Sequence, residues 1–274
     1  MSSPAAEVKQ CSFRYREGQF QLKSVSMQAA EGRMLGVVGP NGSGKSTLLR
    51  LMAGILRPDE GAVHIIDRPI DDYRPRDLAR EVAFLPQSTG SSFQFTVREV
   101  VEQGRYPYQG AFGLLTEQDQ RIVTRALVET ESVSLQDRHF STLSGGERQR
   151  VLVASILAQD PRTMLLDEPG ASLDIHHKSH IFDLLWRLAH DRCIAVVVVT
   201  HDLNLAAQFC DELVLMREGT VCRKGNPDAV MDEEVLSSTY QTSLKVVDHP
   251  ITGHRLVVMP GEKDRRRSAG HSSG

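Results

Sequence analysis

Residues Gly39, Pro40, Asn41, Gly42, Ser43, Gly44, Lys45, Ser46 and Thr47 read GPNGSGKST and fit the pattern GxxxxGKS/T. An apolar run, MLGVVG, leads into them as a strand, and LLRLMAGIL leaves them with helical spacing. In that context consecutive backbone N–H groups can surround phosphate oxygens, because glycines open loop conformations closed to other residues and the next helix presents its free amides there. Lys45 is then within reach of β and γ phosphates, and the Ser46 hydroxyl can ligate Mg²⁺. The competing reading, a plain glycine turn with a surface lysine, requires neither the strand before nor the helix after.

Asp167 closes the apolar run TMLL, which places a carboxylate at a strand's carboxyl end, a position able to hold Mg²⁺. Glu168 follows at once. Neighbouring strand residues point to opposite faces, so Glu168 shares that site only if the strand stops there, and Pro169 and Gly170 supply a stop. It can then act as general base or orient the attacking water; otherwise it is a solvated carboxylate. His201 follows IAVVVVT at another strand end and can hydrogen-bond a γ phosphate or the water. A structural role beside Asp202, the cap of the next helix, suits it equally. Gln87, after AFLP, can contact Mg²⁺ or water, or simply be solvated.

A second glycine pair stands about a hundred positions further on, in TLSGGERQR at 142–150. Ser144 and Glu147 have the spacing of a capping box, so a helix is expected to begin here. A cap needs no glycine, and each glycine in place of alanine within a helix costs about 1 kcal/mol. Gly145 and Gly146 therefore indicate that something approaches the backbone amides, and a bare helix N-terminus favours an anion. The chain offers two phosphate-binding surfaces.

The elements carrying these residues alternate. Short alternating stretches fill 6–30, GAVHIID and EVAFLP read as strands, and TMLLDEP and CIAVVVVTHD as two more. Between about 88 and 160 the spacing turns helical, in TVREVVEQG, TEQDQRIVTRALVET and ERQRVLVASILAQ, which indicates a helical insert. Apolar strands alternating with helices imply a largely parallel sheet covered on both faces, with chemistry at its carboxyl edge. A small strand region is expected after Asp248, then a basic, disordered tail, KDRRRSAGHSSG, at 263–274.

Composition narrows the classes. With 274 residues and a net charge of −3, the chain has room for a large core and no overall positive field to hold nucleic acid. Cys11, Cys193, Cys210 and Cys222 form no CxxC pair, so neither a disulfide framework nor a zinc site is indicated, and a reduced cytosolic setting is the simplest reading. The most apolar run, IAVVVV, is far shorter than the roughly 20 residues needed to cross a bilayer, so any membrane role needs a partner. His176 and His180 share a helix face, but no carboxylate or cysteine completes a ligand set, and a solvated face accounts for them.

Taken in order, these motifs resemble those of the ATP-binding cassette (ABC) ATPases over nearly the whole chain. GPNGSGKST is similar to the family's Walker A loop, MLLDEP to its Walker B, LSGGERQR to its signature, Gln87 to its Q-loop, SLD at 172–174 to its D-loop, and His201 to its switch histidine. Tyr15, 30 positions before Lys45, matches the aromatic that stacks on adenine. The resemblance implies an α/β fold: a P-loop ATPase core with a mainly parallel sheet, an N-terminal antiparallel β subdomain and an α-helical insert subdomain. It implies one domain over 1–262, with the helical part at about 88–160. ATP and Mg²⁺ are the implied cofactors, with Lys45, Gln87, Glu168 and His201 catalytic and Ser46, Gln87 and Asp167 at the metal. The nucleotide would be held by Tyr15, the loop 39–47 and, in a head-to-tail homodimer, by Ser144, Gly145 and Gly146 on the γ phosphate that Lys45 of the other subunit binds. Gly170 departs from the family, which commonly has threonine or serine after DEP.

Three short stretches, GRYPY at 104–108, SLDIHH at 172–177 and HPITGHRLVVMP at 249–260, look like the ATPases of importers for iron-siderophores, haem and cobalamin. That implies integral membrane permease subunits contacting the helical insert and Q-loop region, an extracytoplasmic substrate-binding protein acting indirectly, no nucleic acid, and a place at the cytoplasmic face of the cell inner membrane. Alternatives are the ATPase of an exporter or other transporter, and a non-transport cassette of DNA repair or translation. The latter usually carries coiled-coil insertions, zinc modules or a second fused cassette, none of which the chain shows.

Overall fold

Period-two alternation along apolar strands decides the architecture. In the computed structural model, which describes residues 4–16, 21–87, 94–110, 113–171 and 173–261, the strands are β1 (Ala6–Arg14), β2 (Gln21–Ala29), β3 (Met34–Val38), β4 (Glu60–Ile65), β5 (Arg68–Pro69), β6 (Val82–Leu85), β7 (Thr163–Asp167), β8 (Ala195–Val199), β9 (Glu212–Arg217), β10 (Thr220–Gly225), β11 (Lys245–Asp248) and β12 (Arg255–Val258). The helices are α1 (Lys45–Met52), α2 (Pro75–Glu81), α3 (Val97–Glu102), α4 (Glu117–Glu129), α5 (Gly145–Leu157), α6 (Ile175–Arg192), α7 (Leu203–Phe209), α8 (Pro227–Val230) and α9 (Glu233–Tyr240).

One sheet runs β10-β9-β3-β8-β7-β6, parallel from β9 to β6 with β10 antiparallel at its edge. Leu35, Val37, Leu165, Val197 and Val199 enter one apolar core, while Met34, Val38, Met164, Leu166, Val196 and Val198 enter the other. The run IAVVVV is thus a strand buried on both faces. The first core is closed by α1 and by the antiparallel sheet β2-β1-β4-β5, and the second by α5, α6 and α7 with α3 and α4 beyond them. The α/β architecture, with a mainly parallel sheet, an N-terminal antiparallel sheet and inserted helices, is the expected one.

Each of α3, α4 and α5 begins with a capping box: Thr96 with Glu99, Thr116 with Asp119, and Ser144 with Glu147. Before α4 the stretch GRYPY has a packing function. The buried Arg105 sends Nε to Asp119 Oδ1 at 2.9 Å and Nη1 to the Ala158 carbonyl at 2.7 Å, with its guanidinium 3.8 Å from the centre of the Tyr108 ring. One side chain therefore joins the start of α4 to the end of α5.

The terminal strand region begins earlier than Asp248. β11 and β12 form a hairpin that docks on α7 through the Asn204 amide: Nδ2 donates to the Val257 carbonyl at 3.2 Å, and Oδ1 accepts from the Val257 N–H at 2.7 Å. β11 is extended because β12, the other arm of the hairpin, pairs with it from Lys245↔Val258 to Asp248↔Arg255. The tail 263–274 lies outside the described residues, as does Ser172.

Candidate functional site

Because β3, β6, β7 and β8 are parallel, their carboxyl ends share one edge, and each is followed by a candidate residue. After β3 the chain enters the loop 39–47. Gly39 has φ +146°, and a Cβ there would lie 2.1 Å from the Met216 carbonyl oxygen, so only glycine fits. Lys45, the first residue of α1, is 6% exposed and donates from Nζ to the carbonyls of Gly39 at 2.8 Å and Pro40 at 2.9 Å. Burial pushes its ammonium below the usual lysine range, and the charges of Glu168 and Asp167 pull it partly back. Its partners are neutral carbonyls, which a phosphate oxygen can outcompete.

Ser46 Oγ donates to Asp167 Oδ1 at 3.0 Å. Asp167 is buried, and loss of solvation raises its carboxyl above the ordinary value, with the Ser46 hydrogen bond opposing. The pair therefore presents two hard oxygen donors, one an acid whose charged form a bound cation would favour further. That donor set fits Mg²⁺.

β7 stops at Asp167, and Glu168 takes φ +51° while its N–H donates to the Val199 carbonyl at 3.0 Å. A left-handed residue that is not glycine costs roughly 1–2 kcal/mol, so the surrounding structure holds it in place. The strand stop that the sequence demanded is this turn. The Glu168 carboxylate meets Gln87, whose Nε2 donates to Oε2 at 2.9 Å, and His201, whose Nδ1 lies 3.4 Å from the same oxygen. Asp202 caps α7, accepting at 3.1 Å from the Leu205 N–H, which settles where the helix after His201 starts.

Asn41, Gly42, Gly44, Lys45, Ser46, Thr47, Gln87, Glu168 and His201 line one open cleft of about 650 Å³. Gly39, Pro40 and Asp167 support its wall through Lys45 and Ser46, and Ser43 is buried in the loop. Tyr15 stands beside the cleft rather than in it, its hydroxyl 3.4 Å from Thr47 Oγ1 and its ring edge-on to Phe13. Ser144, Gly145 and Gly146 do not line the cleft; they form the tip of α5, where the Glu147 N–H donates to Ser144 Oγ at 3.3 Å and the Ser144 N–H to Glu147 Oε2 at 2.8 Å. Two residues of the stretch SLDIHH, to which the motifs gave no role at this site, touch that tip or brace its neighbour, His177 and Asp174. Beyond that stretch, the signal in the sequence was the three-residue spacing of an aspartate N-cap. Among the described residues no group of three His, Cys, Asp or Glu is placed to hold a metal, so His176 and His180, with ring centres 4.4 Å apart, have no third ligand.

An ABC transporter family model matches residues 22–171, more than half of the chain and most of the cleft. The chain belongs to the ABC transporter family. This ABC cassette, an ATPase by its family, is 43% identical over 240 residues to the hemin import ATP-binding protein of Streptomyces coelicolor, covering 86% of this chain and 84% of that one. It is 40% identical over 252 residues to the cobalamin import ATP-binding protein of Halobacterium salinarum, covering 92% of this chain and 62% of that one. The cassette spans 55% of the length of another relative, an uncharacterised ABC transporter ATP-binding protein of Bacillus subtilis. Among solved structures, a bacterial ABC transporter cassette solved as a dimer aligns with a TM-score of 0.70 and 30% identity over 81% of this chain and 98% of that one. Among the described residues no helix of this cassette is long and apolar enough to cross a membrane.

Proposed function

We propose that this cassette hydrolyses ATP as the motor subunit of an importer for an iron-siderophore, haem or cobalamin. It would work at the cytoplasmic face of the inner membrane through separate permease subunits, with an extracytoplasmic binding protein delivering the cargo. The names of the hemin and cobalamin relatives support the cargo class. The observation that carries the reading is the constellation at the sheet edge: a carboxylate, Glu168, held by Gln87 and His201 across one cleft from Lys45 and Ser46.

In this reading the loop amides and Lys45 bind the β and γ phosphates, and Lys45 exchanges its two carbonyl partners for phosphate oxygens. Ser46 and Asp167 would hold Mg²⁺, with Gln87, which lines the same cleft, as a further contact; the cation, when bound, would offset negative charge on the phosphates. Glu168 Oε2 accepts a proton from the attacking water or orients it, and Gln87 and His201 keep that oxygen in place. Tyr15 is assigned to the adenine. Ser144, Gly145 and Gly146 lie on a different element, so they serve a nucleotide bound by a second copy, and a head-to-tail homodimer closes on ATP and opens after hydrolysis. The dimeric state of the similar bacterial cassette supports this arrangement.

Purification of the full chain from detergent-solubilised membranes tests the transport part. The expected outcome is co-purification of a multi-span membrane protein and MgATP hydrolysis. Recovery of the chain with nucleic acid, released by salt, would contradict it.

A further inference from the structure

The glycine pair at the tip of α5 is not one feature but two. A Cβ on Gly145 would stand 3.4 Å from Leu173 Cδ2, an ordinary contact, so nothing in the chain itself demands a glycine there. A Cβ on Gly146 would lie 2.0 Å from His177 Cδ2 and 2.8 Å from both Cγ and Nε2 of the same ring. No real side chain survives such distances. The imidazole of His177 occupies the volume that a residue other than glycine would fill at 146.

That ring is itself held. Asp174, the N-cap of α6, accepts from the His177 N–H at 2.9 Å, and the same Oδ1 lies 2.8 Å from His177 Nδ1. One carboxylate oxygen thus fixes both the backbone and the ring, leaving the ring's Cδ2 and Nε2 side against α5. The neighbouring residue does something similar on the other side: a Cβ at Gly170 would sit 3.2 Å from Lys178 Cγ, so the stem of Lys178 lies over the loop that follows Glu168. The unusual glycine at 170 has this neighbour. The first turn of α6 is wedged between the loop after β7 and the tip of α5.

The capping box of Ser144 and Glu147 sets the local backbone of that tip, yet says nothing of where the tip stands relative to the sheet. α6 starts seven residues after Glu168 and can set it. We propose that His177 is a positioning residue: with Nδ1 held by Asp174, its ring seats in the space left by Gly146 and fixes the α5 tip in the orientation a nucleotide bound to a second copy requires. This rests on the shared-site reading above, and it gives Gly145 and Gly146 separate reasons, approach by the second copy's nucleotide for the first and the ring for the second.

The test uses the full chain in two backgrounds, wild type for turnover and Glu168→Gln for MgATP-driven dimerisation. His177→Ala is expected to bind a fluorescent ATP analogue as a monomer within twofold of its parent, to lose at least tenfold in kcat with little change in KM, and to need at least tenfold more protein to dimerise. His177→Gln, which keeps a donor for Asp174 with less volume, is expected to fall between. Gly146→Ala is expected to lower the melting temperature and abolish dimerisation while His177 is present. In Gly146→Ala/His177→Ala both are expected to return to the level of His177→Ala alone. Equal dimerisation and turnover by His177→Ala and its parent overturn the role of His177 and leave the shared site standing. Equal damage from Gly146→Ala with and without the ring overturns the steric assignment. A Glu168→Gln parent that stays monomeric sinks the shared site first.

Discussion

Lys45 and Glu168 show opposite ways of preparing a residue for charge. Lys45 is buried next to two carboxylates and meanwhile bonded to two carbonyls of its own loop, so its charge is available to whatever anion enters. Lys45→Ala is expected to abolish nucleotide binding in equilibrium titrations; tight binding by that variant would remove the loop from its assigned task. Glu168 instead depends on its neighbours. Gln87→Ala deletes the 2.9 Å hydrogen bond to Oε2, and a loss of about 10²-fold in kcat with unchanged nucleotide affinity is expected, the scale of a misplaced general base. Residue spacing made Lys45, Ser46 and Asp167 legible, because a phosphate loop and a strand-end acid are local patterns. The φ of +51° at Glu168 was not legible: it follows from the N–H bond to Val199, a residue on another strand. His177 escaped for the same reason, since its partner Gly146 is 31 positions away.

Among the elements, the helices at 97–157 are held by the buried Arg105–Asp119 pair. Burial pushes the Asp119 carboxyl up, but hydrogen bonds from Thr116 and then Arg105 outweigh it and leave it below the ordinary carboxylate value. Removing one partner strands the other charge, and Asp119→Asn is expected to cost about 3–5 kcal/mol in chemical unfolding at neutral pH. The sign of the pH dependence follows from the depressed value. The contribution is complete above the unfolded-state pKa, near 3.8, and is lost as pH falls through the lower folded-state value. The gap between wild type and variant should therefore narrow below about pH 4; a gap independent of pH would show that packing alone is at stake. Helical spacing announced these three helices in the sequence, and for α5 so did the Ser144–Glu147 capping box. The stretch GRYPY did not announce its packing role, because Pro107 interrupts helical spacing and the contacts of Arg105 are with Asp119 and Ala158. Its likeness to one importer group has at least this physical content.

At the scale of the molecule, one sheet edge gathers the cleft from four strand ends, while the α5 tip does not line that cleft. The alternating apolar strands made the sheet legible, and the spare glycine pair pointed to a second phosphate-binding surface; the docking of the β11–β12 hairpin on α7 through Asn204 had no local signature. Ser144→Arg is expected to leave monomer nucleotide binding intact while blocking turnover, because in the proposed dimer the added side chain would stand where two copies meet. The most direct measurement is size-exclusion chromatography of Glu168→Gln with MgATP and without nucleotide, alongside ATP hydrolysis by the wild type. The account predicts a dimer that forms only with MgATP, from a variant that binds ATP and scarcely hydrolyses it. A strictly monomeric variant saturated with MgATP, beside a wild type that hydrolyses ATP at full rate, would contradict it.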